Sequence, residues 1–235
     1  MIAVIQAGGK GTRLRPYTLV LPKPMMPVGD QPVIEMLLKW LCRNGIRDVF
    51  ITIGHLGRLI RSLCGDGSQW GMRIRYCEEP EAYGTIGPLR LIRKELTETF
   101  LVLNGDLVTD LDLRGFIAWH RGNEGRITVA VTQKQIKTDL GILESQNDRI
   151  TEFREKPLLN FQVSMGIYCM EPEIIRLIPK GIPYGFDNLM HTMLEKKWPV
   201  YTYKHDGLWM DIGREEDFKN AQEMFCNNET ALTGC

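Results

Sequence analysis

Apolar positions along the chain alternate between two rhythms. Ile2–Gln6, Val49–Ile53 and Phe100–Leu103 are short, nearly continuous apolar runs with the length of strands buried on both faces, and Arg73–Cys77 reads as a further strand. After the first run, Ile34, Leu37, Leu38 and Leu41 recur at helical spacing, and Asn44-Gly45 supplies a stop. A second helix is predicted around Leu56–Cys64. This β-α-β-α order predicts an α/β fold with a mostly parallel sheet and helices on both faces.

The rhythm changes in the second half. Ile127–Thr132, Gly141–Glu144, Ile150–Glu155 and Val163–Met170 read as strands with less helix between them, which suits a mixed extension of the sheet carrying a second ligand site. Helical patterns near Pro172–Leu177 and Leu189–Lys196 precede a strand at Val200–Lys204 and a closing helix at Glu215–Phe225. The polar stretch 227–235 is expected to fray. The pattern predicts one domain over 1–226, with one functional lobe at about 1–110 and another at about 111–226.

Composition narrows the function classes. The 235 residues carry 29 Lys+Arg against 29 Asp+Glu, so long-range attraction to nucleic acid or an anionic membrane is not favoured. Any phosphate chemistry must come from local placement of charge. The apolar runs are too short to span a bilayer, and Met1-Ile2-Ala3-Val4-Ile5 lacks the flank and core of a signal peptide. The cysteines at 42, 64, 77, 169, 226 and 235 form no Cys-x-x-Cys pair, and Cys42, Cys64 and Cys169, in apolar surroundings, are expected as small buried hydrophobes in a reducing compartment, the cytoplasm. Asn228-Glu229-Thr230 matches a glycosylation acceptor but has no secretory signal to support it. His120, His191 and His205 are isolated and read as surface or structural, whereas His55 at a strand-to-helix turn is close enough to the strand ends to approach a ligand.

The most informative stretch is Gln6-Ala7-Gly8-Gly9-Lys10-Gly11-Thr12-Arg13-Leu14, directly after the first strand. Ligands of parallel sheets bind outside the carboxyl ends of strands. Three glycines let the backbone approach an anion and aim N–H groups at phosphate oxygens, while Lys10, Arg13 and Thr12 add charge and a hydroxyl. A tight strand-exit turn would explain Gly8 and Gly9 but not the basic residues. The spacing is not that of a P-loop. A dinucleotide fingerprint is excluded too, because Pro16 and Pro22-Lys23-Pro24 delay the first clear helix to about Val33.

Gly8-Gly9-x-Gly-Thr-Arg-Leu with downstream Pro22-Lys23-Pro24-Met25-Met26-Pro27-Val28 resembles the sugar-1-phosphate nucleotidylyltransferases, or nucleoside-diphosphate-sugar pyrophosphorylases. The resemblance continues in order through Tyr83-Gly84-Thr85-Ile86-Gly87-Pro88, Leu103-Asn104-Gly105-Asp106, Glu155-Lys156-Pro157, Met165-Gly166-Ile167-Tyr168 and Trp209-Met210-Asp211-Ile212-Gly213. It implies a Rossmann-like three-layer sandwich of the nucleotide-diphospho-sugar transferase type, with a nucleotide half and a sugar half. It also implies a Mg²⁺-dependent reaction in which an NTP and a sugar 1-phosphate give an NDP-sugar and pyrophosphate.

The residues support that implication independently. Asp106 and Asp211 each follow an apparent strand end, and either alone would read as a turn residue. Together with the glycine loop they suit Mg²⁺, which takes one or two carboxylates and completes its shell with phosphate and water. The attacking group would already be an anionic phosphate oxygen, so charge neutralisation matters more than a strong base. By similarity, Arg13, Lys23, Asp106 and Asp211 are the catalytic set. Ala7, Gly8, Gly9, Lys10, Gly11, Thr12, Glu78, Gly84, Thr85, Asn104 and Gly105 are implied to hold the nucleotide, with Gly84 giving room for a planar base. Gly141, Glu155, Lys156, Ser164 and Gly166 are implied to hold the sugar phosphate.

Relatives that use uridine or thymidine nucleotides often carry Gln before the Gly-Thr or Gly-Gly pair, where this chain has Glu78-Glu79. A carboxylate could accept from guanine N1–H and its amino group, and Gly84-Thr85-Ile86-Gly87-Pro88-Leu89 looks most like the mannose- and heptose-1-phosphate guanylyltransferase branch. GTP with such a sugar 1-phosphate is therefore the leading expectation. UTP, dTTP or CTP on another sugar, for example an amino sugar, stays open, as does a non-catalytic NDP-sugar-binding regulatory homologue. The length is expected to hold the nucleotidyl-transfer core without a C-terminal β-helix or acyltransferase domain. No nucleic-acid or membrane partner is expected, and a homodimer is left open.

Overall fold

Strand β1, Ile2–Ala7, is apolar on both sides because it runs through the middle of a sheet covered on both faces. The computed structural model describes residues 1–227; of the stretch 227–235 expected to fray, Asn227 ends the last helix, and the rest, with the Asn228 acceptor, lies outside the described residues. After β1 come two short strands, Pro27–Val28 (β2) and Gln31–Pro32 (β3), helix α1 (Val33–Arg43), β4 (Asp48–Ile53), α2 (Gly57–Cys64), β5 (Arg73–Glu78), β6 (Phe100–Asn104) and β7 (Leu107–Thr109). The second half continues with α3 (Leu113–Arg121), β8 (Ile127–Lys137), β9 (Ile142–Gln146), β10 (Arg149–Arg154) and β11 (Leu158–Met170). It closes with α4 (Phe186–Glu195), β12 (Val200–Lys204), β13 (Trp209–Asp211) and α5 (Glu215–Asn227).

Seven strands form one sheet in the order β12-β8-β11-β6-β1-β4-β5. β11 runs antiparallel to both its neighbours, β6 and β8, while the remaining pairs are parallel. One face is covered by α1, α2 and α3 through Leu37, Leu38, Ile60 and Phe116. The other is covered by α4 and the 3₁₀ turns Gly87–Arg90 and Pro172–Leu177 through Leu89, Ile174 and Leu189. The result is the expected Rossmann-like three-layer α/β sandwich with a mixed sheet. Among the described residues no helix is long and apolar enough to cross a membrane.

The chain leaves β1 for β4 and β5 on one side and returns to β6 on the other. Loops leaving β1 and β6 therefore diverge, and a crevice opens at their carboxyl ends. A third apolar cluster, built from Leu14, Met26, Val28, Val108, Met210 and Phe225 among others, lies away from the sheet and anchors the long segment between β1 and α1 to α5.

Some elements differ from the sequence pattern. Pro172–Leu177 is a 3₁₀ turn and not an α-helix. The unexpected helix α3 carries Gly115 in its first turn, which dilutes the signal, yet Leu113, Phe116, Ile117 and His120 are buried along one side. It is capped by Asp112, whose Oδ1 accepts the Gly115 N–H at 3.1 Å. β8 and β11 run past the expected ends, pairing from Leu158↔Lys137 onward, and with the β9–β10 hairpin they form a projecting arm.

Phe116 is fully buried and meets the Tyr203 ring edge-on at 5.4 Å between centroids. Phe116→Ala is expected to cost about 3–5 kcal/mol, the scale of truncating a buried aromatic, measured as a shift of the urea unfolding curve.

Candidate active site

β1 ends at Ala7, and the chain turns at once into the glycine segment. Gly11 has φ +58°, a left-handed conformation, and its carbonyl accepts from Leu14 N–H at 2.9 Å and from Thr18 Oγ1 at 2.8 Å. These bonds, with Leu14 buried beneath, shape a 3₁₀ turn over Thr12–Leu14 whose Thr12 and Arg13 are exposed. Both side chains line a cavity of about 410 Å³ at the crevice.

Lys23 opens the 3₁₀ turn Lys23–Met25 between Pro22 and the buried Pro24. Its ammonium contacts the Asp106 carboxylate and lies 3.5 Å from Asp211 Oδ1. Burial pushes the Lys23 pKa below its ordinary value; Asp211 opposes the shift, and Arg13 adds to it. Asp106 is only 7% exposed, and Asp211 Oδ1 is buried without a hydrogen bond.

Local pairing brings the two carboxylates together. β13 runs antiparallel to β7 with Asp211 opposite Leu107, and Ile212 N–H donates to Asp106 O at 3.1 Å. On the inner side, Gly105 N–H donates to Gln6 O at 3.0 Å. A Cβ on Gly105 would sit 2.8 Å from that oxygen, so the turn carrying Asp106 can lie against β1 only without a side chain there.

The opposite wall is the segment from Glu79 to Gly87. Ile86 and Gly87 N–H both donate to Tyr184 O at 3.0 Å, Tyr184 N–H donates to Tyr83 O at 2.8 Å, and Phe186 N–H donates to Thr85 Oγ1 at 2.9 Å. Gln6 Nε2 also donates to Thr85 O. Phe186 in turn stacks on Tyr168 at 4.0 Å between centroids. Gly84 has φ +79°, and a Cβ there would lie 2.8 Å from Tyr184 O. Its missing side chain therefore serves the approach of two backbone segments, in addition to any room it leaves for a base.

The cavity brings together Ala7, Gly8, Gly9, Gly11, Thr12, Arg13, Lys23, Gly84, Thr85, Asn104, Asp106 and Asp211 from the sequence reading. Gly105 supports the wall from behind, and Lys10 is exposed outside the lining. Glu78 points away: it is exposed and lies 3.7 Å from Arg61 Nη2. The carboxylate in the wall is Glu79, which accepts from Tyr83 N–H at 3.2 Å and whose pKa is raised by burial. Gln6, Pro24, Thr52 and Ala82 also line the cavity; Gln6 and Pro24 lie in segments the sequence singled out but had no role assigned, and Thr52 and Ala82 were not anticipated. Gln6 and Thr52 had a signal, since each is a polar residue near the end of an apolar strand, and the two are register partners.

The expected sugar residues divide into two groups, neither of which lines this cavity. Gly166, at φ +72°, abuts Asn104, and Ser164 Oγ accepts Gly166 N–H at 3.2 Å, so this pair adjoins the cavity through Asn104. Gly141, Glu155 and Lys156 sit together on the arm, with Lys156 at φ +43° and its Nζ 4.0 Å from Glu155 Oε1. His55 is exposed outside the cavity. His120 is structural and buried, between Thr128 Oγ1 at 2.7 Å and Glu171 Oε1 at 3.1 Å. Among the described residues no three His, Cys, Asp or Glu side chains converge as a metal cage, so a metal here would rest on the two aspartates and its ligands.

Residues 2–228 match the family of nucleotidyl transferases. Over 242 residues the chain is 34% identical to a UTP–glucose-1-phosphate uridylyltransferase of Synechocystis, covering 94% of this chain and 62% of that protein. Over 233 residues it is 31% identical to the mannose-1-phosphate guanylyltransferase catalytic subunit beta of Danio rerio, covering 96% and 64%. The chain thus spans under two thirds of the length of these relatives. The fold matches that of HddC from Yersinia pseudotuberculosis with a TM-score of 0.75 and 23% identity, over 95% of this chain and 99% of that one.

Two outcomes follow from the Glu79 wall. A carboxyl with a raised folded pKa binds its proton more tightly in the folded state, so its contribution to stability falls as pH rises from about 4 through the folded pKa. Glu79→Gln, measured by urea unfolding across pH, is expected to gain on the wild type as pH rises through that window. Gly84→Ala is expected to destabilise by at least about 1–2 kcal/mol, the cost of left-handed backbone, with more from the clash on Tyr184, read by the same assay.

Proposed function

The chain belongs to the nucleotidyl transferase family, and on that premise we propose that it transfers a nucleotidyl group from an NTP to a sugar 1-phosphate, releasing pyrophosphate. The observation that carries this reading is the convergence at one crevice of a glycine-rich strand exit, Arg13, Lys23 and the paired carboxylates of Asp106 and Asp211. Such an arrangement suits polyanionic substrates and a hard cation, and it offers no nucleophile–base pair.

In this reading an anionic oxygen of the sugar phosphate attacks the α-phosphorus in line. The bond from that phosphorus to the bridging oxygen breaks, and the electron pair leaves with pyrophosphate. The backbone N–H groups of the glycine segment and the Arg13 guanidinium bind the triphosphate, and Lys23, whose stem packs beside Gly11, adds a compact charge.

The aspartates fit Mg²⁺: both are hard oxygen donors, Asp106 is buried, and Asp211 holds an oxygen without a hydrogen bond. When bound, Mg²⁺ supplies neutralisation of phosphate charge. Ser164 and Gly166 beside Asn104, and Gly141, Glu155 and Lys156 on the arm, are assigned to the sugar phosphate. The nucleotide half is then about 1–110 and the sugar half about 111–226.

GTP is favoured because the carboxylate in the base-side wall, Glu79, can accept two hydrogen bonds from the N1–H and amino group of guanine. Uracil and thymine offer only one such donor. A mannose- or heptose-type sugar 1-phosphate is the accompanying choice. The similarity to a uridylyltransferase makes UTP the second reading.

The test mixes each NTP with a panel of sugar 1-phosphates and Mg²⁺ and measures pyrophosphate. Release is expected with GTP and a mannose- or heptose-type sugar; silence across the whole panel overturns the assignment. Asp106→Asn is expected to lower kcat at least about a hundredfold, the scale of losing one preorganised electrostatic group, with an unchanged circular dichroism spectrum.

A further inference from the structure

Lys23 occupies an unusual position for a residue whose part in the reaction is to hold phosphate. Its ammonium contacts Asp106 and lies 3.5 Å from Asp211 Oδ1, so it rests on the two carboxylates themselves. One ammonium serves the two unequally: it is in close contact with Asp106 but 3.5 Å from the buried Asp211 Oδ1. Two carboxylates with one monovalent cation keep a net negative charge, which a divalent cation would cancel.

We propose that Lys23 and a divalent cation compete for the Asp106–Asp211 pair, so that the chain alone binds metal weakly and nucleotide phosphates raise its metal affinity by drawing Lys23 away. This rests on the assignment of the two aspartates to Mg²⁺ made above. The backbone of Lys23 is fixed. Pro22 and Pro24 flank it, Met25 N–H donates to Pro22 O at 2.8 Å, Met26 N–H donates to Lys23 O at 3.0 Å, and Met26 is buried in the third apolar cluster. Exchange is therefore confined to the four-carbon side chain, a flexible stem with a compact charge. Lys23, Thr12 and Arg13 line the same cavity, so a phosphate held by the glycine segment offers the ammonium a new anionic partner. The lysine keeps the two carboxylates from repelling each other until the phosphates arrive, and the metal then enters with the nucleotide.

The experiment is titration of Mn²⁺ alone into the intact chain, followed by electron paramagnetic resonance of the free ion, for the wild type and for Lys23→Met, Lys23→Gln and Lys23→Arg. If the lysine is off the pair in about a tenth of molecules or fewer, removing its charge tightens Mn²⁺ binding about tenfold or more. Lys23→Met and Lys23→Gln are expected to show that gain, and Lys23→Arg is not. Adding Asp106→Asn to Lys23→Met should abolish the gain. The proposal falls if both neutral variants bind Mn²⁺ no more tightly than the wild type while unfolding in urea at a comparable midpoint. It also falls if the gain survives Asp106→Asn. Because no nucleotide or turnover enters this measurement, a silent substrate panel would remove the proposed reaction and leave the competition standing.

Discussion

Two carboxylates held side by side repel unless a cation lies between them, and the cleft of this chain is arranged around that constraint. Asp106 and Asp211 come from elements a hundred residues apart, yet the β7–β13 pairing and the Ile212–Asp106 hydrogen bond fix them at one edge of the crevice. Burial of Asp106, and of one Asp211 oxygen, raises the cost of leaving these charges unpaired. Lys23 answers that cost, and its own depressed pKa records the same desolvation. In the proposed reaction, substrate phosphates and a metal would be further ways of balancing the same charges.

Holding Lys23 there requires a scaffold outside the main sheet. The segment from Gly11 to Gln31 is almost devoid of long regular elements, and such a segment would move if it were merely solvated. Leu14, Met26 and Val28 are instead buried against Met210, Ile212 and Phe225, so α5 and β13 secure the loop that bears Arg13 and Lys23. Gly29 N–H is bonded to Gln222 Oε1 at 3.0 Å, and Gln222 reaches back to Pro27 O at 2.6 Å. The end of the described chain thus positions the charges of Arg13 and Lys23 near its beginning. The short 3₁₀ turns can be specific without being long because apolar side chains, more than helical hydrogen bonds, hold them.

What could be read from the sequence followed physical strength of signal. β1, β4 and β6 are apolar on both faces, and α1 has a clean apolar stripe, so their bounds came within a residue or two of the expected ones. The Gly8–Arg13 segment was legible because glycine and basic residues at a strand exit have few other uses. Glu78 and Glu79 were not separable, since the choice between them depends on which way the chain turns after β5. The bond from Glu79 N–H to Ile53 O, at 3.0 Å, and that from Tyr83 N–H to the Glu79 carboxylate, at 3.2 Å, accompany the inward turn. Gly84 shows the same limit: a glycine announces a close approach but not what approaches, which here includes the Tyr184 backbone.

The arm explains why the second half was harder still. In a strand, side-chain direction depends on register, and one extra residue reverses it. The β9–β10 register shifts between Ile150 and Glu152, which puts Ile150 on the same side as Leu143 and Phe153 despite the odd spacing between Ile150 and Phe153. The opposite side is polar, with Arg154 paired to both Glu144 and Glu152. An alternating pattern read from sequence alone would assign these faces wrongly. Leu143, Ile150 and Phe153 are each more than half exposed, so little burial fixes the hairpin, in contrast to the wall held by Tyr184 and Phe186. The crevice therefore draws its geometry from the core of the fold. Glu155 and Lys156 draw theirs from a ribbon with few buried contacts, in which Lys156 has a left-handed backbone just before Pro157.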